Sequence, residues 1–79
     1  MTDVKKSIYA LIANILEVNI DVIHDELAIG DIKEWDSLGH IKIIAGIETE
    51  MGIILDIEQT LEIEDVEDII EAVVANKMS

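Results

Sequence analysis

The sequence predicts an all-α bundle of four helices, three long and one short, with a long loop between the first and second. Three observations carry that expectation. Apolar residues recur at helical spacing in three separate stretches of the 79-residue chain. No pair of alternating runs offers the two strands that a sheet needs. With no Pro, four Gly and no low-complexity tract, nothing divides the chain, so residues 1–79 are expected to form a single domain. A domain of this size buries about 60% of the surface its unfolded chain exposes, enough for one small core.

The first helix is expected near residues 3–17. Val4, Ile8, Leu11, Ile12 and Ile15 share one face, while Asp3, Lys6, Ala10, Asn14 and Glu17 take the other. The stretch from Val18 to Trp35 is longer than most helix connections. Val18, Ile20, Ile23, Leu27, Ile29, Ile32 and Trp35 recur through it, so it is expected to lie across the bundle and add to the core. The second long helix runs over 38–51 and closes on Gly52 as its C′ residue. On a wheel, Ile43, Ile44, Ile47 and Met51 form its apolar stripe, with Gly39, Lys42, Gly46, Thr49 and Glu50 on the polar side and Leu38, Ile41 and Ala45 on the border. That arc is wider than one core contact requires: either two sides of the helix are buried, or an apolar strip meets a partner.

A short helical turn near Ile57 to Leu61 is expected to lead into the last helix, whose stripe is Val66, Ile69, Ile70, Val73 and Val74. Glu64, Asp65, Glu67 and Asp68 suit the positive end of that helix, and Lys77 suits its negative end. Ile53, Ile54 and Leu55 have strand propensity but no second strand to pair with.

Charge narrows the function classes. Eighteen acidic residues against five Lys give a net charge of −13, which disfavours a phosphate backbone or an anionic membrane as partner. A hydrophobic fraction of 51% argues against an acidic disordered tail. There is no Cys for a disulfide or thiolate metal site. The N-terminal apolar stretch is broken by Ser7, Asn14 and Glu17 and resembles neither a signal peptide nor a membrane span, so a cytoplasmic location is expected.

Few residues are candidates for chemistry. His24 and His40 lack a third ligand at zinc spacing. A calcium loop starting at Asp25 would have Gly30 in place, but Leu27 and Ile29 stand at its ligand positions. Ser37 opens the central helix within Trp35-Asp36-Ser37-Leu38, and its simplest role is a helix N-cap. Asp-Ser-Leu also occurs in the GDSL esterases, but Trp35 replaces the Gly, and three neighbours on one helix do not make a triad.

Asp36-Ser37-Leu38 at the start of a helix some 35 residues into an acidic chain, with amphipathic helices before and after, resembles the acyl carrier proteins. The resemblance spans almost the whole chain and implies an acyl-carrier-like four-helix bundle that is not itself an enzyme. It also implies a 4′-phosphopantetheine on Ser37, placed there by a phosphopantetheinyl transferase that reads Asp36 within the motif. Acyl or aminoacyl groups would ride on that arm as thioesters, in fatty-acid or specialised metabolism. Leu38, Ile41, Ala45 and Glu48 align with the family's docking positions for acyl-loading and acyl-processing enzymes, whose basic surfaces suit an acidic, monomeric carrier. The alternative is a non-catalytic acidic helical adaptor in which Ser37 only caps a helix. Lys42, Thr49 and Gly39 depart from the family by thinning the acidic docking face, which leaves a specialised pathway open. The seventeen Ile and scarcity of aromatics leave room for a core that admits an acyl chain, with ordinary packing as the plainer reading.

Overall fold

Four α-helices form in the order that the spacing predicts: α1 (Val4–Leu16), α2 (Ser37–Met51), α3 (Ile57–Glu62) and α4 (Val66–Met78). The computed structural model describes residues 4–78, with side chains described as far as Asn76. Asp3, expected at the start of the first helix, lies outside the described residues, as does the side chain of Lys77.

Helix α1 buries Ile8, Ile12, Ala13 and Leu16. It stops where Glu17 turns left-handed at φ 60°, and the Val18 N–H reaches back to the Ala13 carbonyl at 3.0 Å. The long connection then behaves largely as expected. Ile23, Leu27 and Trp35 enter the core, whereas Ile20, Val22 and Ile29 stay exposed. A 3-10 turn over Ile20–Val22 was not foreseen; it is opened by the Asn19 side chain, which accepts from the Asp21 N–H at 2.9 Å.

The connection is tied both to the start of α4 and to α1. Val66 N–H donates to the Leu27 carbonyl at 3.0 Å, Ile29 N–H to Glu64 at 2.9 Å and Glu67 N–H to Asp25 at 3.0 Å. The lone antiparallel bridge between Ala28 and Asp65 does not extend into a strand among the described residues. On the other side the Tyr9 hydroxyl donates to the half-buried Asp25 carboxylate, which Lys5 Nζ also approaches at 2.7 Å. The hydrogen bond from Lys5, then that from Tyr9, holds the Asp25 carboxyl below its ordinary value, while the same bond to Asp25 raises the Tyr9 hydroxyl.

Helix α2 buries Ile43 and Ile47, as its stripe predicts, and also Gly39. Here the wheel is corrected. Gly39 and Gly46 belong to the seam with α1 rather than to a polar side. A Cβ at 39 would lie 2.4 Å from the Glu34 carbonyl oxygen and 3.3 Å from Leu16 Cδ2, and one at 46 would lie 2.4 Å from Ile15 Cδ1. Glycine is read as polar on a hydropathy wheel, yet its physical role at these positions is close approach. Gly52 ends α2 at φ 68°, with the Ile53 N–H on the Glu48 carbonyl at 3.2 Å.

Helix α3 buries no residue of its own; Leu55 before it and Ile63 after it are the buried anchors. Its first turn is held by Asp56 N–H donating to Gln59 Oε1 at 3.1 Å. Helix α4 places Val66, Ile69 and Val73 in the core, but Val74, expected there, is exposed. Asp65 opens α4 by accepting from the Asp68 N–H at 2.9 Å, and Asp68 accepts in turn from the Glu64 N–H at 3.1 Å. Among the described residues no helix is long and apolar enough to cross a membrane.

Candidate functional site

The start of α2 is built by the residues just before it. Asp36 has an extended backbone, and its Oδ1 accepts from the Gly39 N–H at 2.8 Å. Asp36 is therefore the cap and Ser37 the first helical residue, so of the readings open for Ser37 the helix cap is the one that Asp36 fills. The sequence offers two good capping side chains in a row, and spacing alone does not choose between them. Because Asp36 takes the capping bond, Ser37 stands exposed and its hydroxyl has no hydrogen bond among the described residues. Gly39 makes this geometry possible, since any larger residue would push the Glu34 carbonyl off the first turn.

Beside Ser37, the fully buried Trp35 donates its indole N–H to His40 Nδ1 at 3.1 Å. The two rings stack, with centroids 6.1 Å apart and planes at 18°. His40 Nε2 faces the Thr60 carbonyl of α3 at 3.5 Å. His40 is thus a boundary residue with a structural partner on each side. Among the described residues no group of three or more His, Asp or Glu side chains is placed to hold a metal ion.

Of the docking residues expected from sequence, Ile41, Ala45 and Glu48 border the space between α2 and α3, whereas Leu38 borders a hollow on the α1 side. Leu38 is 60% exposed and Ile41 64% exposed, and Ala45 is exposed beside them. Glu48 differs: its Oε2 accepts from the Leu55 N–H at 2.9 Å, so this carboxylate also fastens the turn after α2. Between α2 and α3 lies a hollow of about 310 Å³ walled by His40, Ile41, Ile44, Glu48, Thr60 and Leu61. The apolar surface continues beyond it through Ile54, Ile57 and Leu61, the last two each 77% exposed.

Sequence reasoning missed this contribution from α3. The available signal was an isolated Ile57 and Leu61 pair at a four-residue offset, on a helix too short to need a second buried face. Lys33 and Lys42 line a separate hollow of about 190 Å³ on the α1 side of Asp36, together with Glu17 and Glu34. The charge around the start of α2 is therefore mixed rather than uniformly acidic.

No family model and no curated protein sequence matches the chain. A solved structure does: the solution structure of a holo acyl carrier protein from Geobacter metallireducens superposes with a TM-score of 0.86 at 19% identity, covering 98% of this chain and 88% of that one. The chain therefore has the acyl carrier fold.

Proposed function

We propose that the chain is an acyl carrier protein whose Ser37 bears 4′-phosphopantetheine, working as a single domain over residues 1–79. The observation that carries this is the exposed, unbonded hydroxyl of Ser37 at the first position of α2, left free because Asp36 performs the capping. A residue needed only as a cap would make that bond itself. In the adaptor alternative Ser37 would serve as the cap, a role that Asp36 fills.

The residues present fit the group. A phosphodiester on Ser37 would stand at the N-terminus of a 15-residue helix, where the dipole favours an anion by about 0.3–1 kcal/mol. The Asp36 carboxylate opposes it but is engaged by the Gly39 N–H. When bound, the arm supplies a terminal thiol that holds acyl or aminoacyl groups as thioesters. The chain supplies position. Ile41 and Ile44 stand four and seven residues after Ser37, so all three share the face of α2 that borders the α2/α3 hollow.

No side chain within the described residues accepts the Ser37 proton, so activation of the hydroxyl falls to the phosphopantetheinyl transferase, with Asp36 part of the motif it reads. The carrier is not itself an enzyme; tethering raises the effective concentration of cargo at whichever active site it docks on. Leu38, Ile41 and Ala45 give an apolar contact, and the charge of −13 steers a monomeric carrier toward the basic docking surfaces of acyl-loading and acyl-processing enzymes in the cytoplasm. Fatty-acid and specialised pathways both accommodate this arrangement. Incubation with a phosphopantetheinyl transferase, Mg²⁺ and coenzyme A should add one phosphopantetheine to the wild type and none to Ser37→Ala. Failure of the wild type under conditions that modify another carrier would overturn the proposal.

A further inference from the structure

We propose that His40 is a proton-operated latch that holds α3 against α2, opening the α2/α3 hollow when it is protonated. Trp35 Nε1 can only donate. The 3.1 Å contact therefore requires a bare Nδ1 on His40, which places the single ring proton on Nε2, the nitrogen that faces the Thr60 carbonyl 3.5 Å away. Only the neutral ring in this tautomer serves both neighbours. One links it to a fully buried indole in the α1–α2 connection, and the other to the backbone of α3.

Protonation sets two donors, Nδ1–H and the indole N–H, against each other. A buried donor without an acceptor is the costly outcome, and the way out is for the ring to swing toward solvent. His40 is half-buried and walls the hollow, so that movement is open to it. The ring then withdraws from Thr60 as well. Helix α3 is the element best suited to follow, because it has no buried residue of its own and the buried residues nearest it, Leu55 and Ile63, lie beyond its ends.

The titratable groups around the ring do not supply another acceptor for the indole. Glu48, on the same helix and in the same hollow, is held by the Leu55 N–H, and Asp36, one turn earlier, by the Gly39 N–H. From α3 the facing residues are Thr60 and Leu61, and from the connection Trp35, none of which titrates in the range concerned. Uptake of one proton by the ring thus becomes a change in access to the hollow. This concerns the unmodified chain and does not rest on Ser37 carrying a prosthetic group.

Trp35 is the one Trp in the sequence, which makes the latch directly observable. Between pH 8 and 5 the indole N–H resonance of Trp35 should shift along a single-proton curve, and the Thr60 and Leu61 amides should shift along the same curve. Nile red fluorescence should rise with them as the hollow opens. In His40→Gln, which keeps an acceptor but cannot titrate, all of these should stay flat while far-UV circular dichroism at pH 8 matches the wild type. If His40→Gln unfolds, the wild-type spectra decide alone by whether Trp35, Thr60 and Leu61 titrate together with the His40 ring carbons. His24→Gln should behave as wild type. An indole resonance that is flat in the wild type, that still titrates in His40→Gln, or that moves without Thr60 and Leu61 would overturn the proposal.

Discussion

Helix α2 has two unlike sides, and the contrast between them explains the molecule. Toward α1 and the end of the connection it presents Gly39 and Gly46, where a single added carbon would run into the Glu34 carbonyl oxygen and the Ile15 side chain respectively. Toward α3 it presents Ile41 and Ala45 beside a hollow walled by a short helix that buries no residue of its own, while the exposed Leu38 borders the hollow on the α1 side. One side fixes where Ser37 stands, and the other leaves apolar side chains uncovered. Close packing and exposed apolar surface thus lie on different faces of the same 15 residues.

The largest effect expected from disturbing this contrast is at Gly39. Ala there meets the Glu34 backbone oxygen, which has no rotamer to escape into, so urea unfolding should show a loss of about 1–3 kcal/mol. Gly46→Ala meets only the flexible end of Ile15, and the better helix propensity of Ala, worth about 1 kcal/mol, should leave it near neutral. Equal losses at both positions would mean that the seam is not organised around the start of α2. Next in size is Asp36→Ala, which removes the cap and should lower stability by about 1 kcal/mol. Ser37→Ala should lower it much less, and the reverse ranking would return the cap to Ser37.

A smaller change is expected at the clamp between α1 and the connection, recognisable by its pH dependence. The Asp25 carboxyl is held below its ordinary value by Lys5 and Tyr9, so its stabilisation is present above the unfolded carboxylate range, about pH 4, and is lost as pH falls through the lower folded value. Asp25→Asn should therefore be less stable than wild type at pH 7, with the gap closing toward pH 3 in urea titrations. A gap that stays constant would count against the ion pair. Smallest of all, Leu61→Ser and Ile41→Ser on the open side should change stability by no more than about 0.5 kcal/mol while weakening association with acyl-processing enzymes.

The long helices were legible because burial imposes a period: Ile8 and Ile12, Ile43 and Ile47, Val66, Ile69 and Val73 are all core residues at helical offsets. Gly52 as a helix stop was legible for the same kind of local reason, its left-handed backbone. What hydropathy could not reveal depends on contacts between segments. Gly39 and Gly46 look polar on a wheel, but their meaning comes from Leu16, Glu34 and Ile15 across the seam. The choice of Asp36 over Ser37 as cap depends on a backbone angle, and the pairing of Trp35 with His40 depends on which ring nitrogen faces the core. Ile57 and Leu61 went unrecognised as part of the site because their helix is too short for periodicity to show which side is buried.

The division of labour on α2 can be read out by comparing ¹⁵N-resolved spectra of the chain before and after modification of Ser37. Changes should gather at Leu38, His40, Ile41, Ile44 and Leu61, leaving Ile12, Ile15 and Gly46 in place. Failure to form the modified protein, or changes spread equally through the α1 seam, would contradict the assignment of Ser37 and the open face to function.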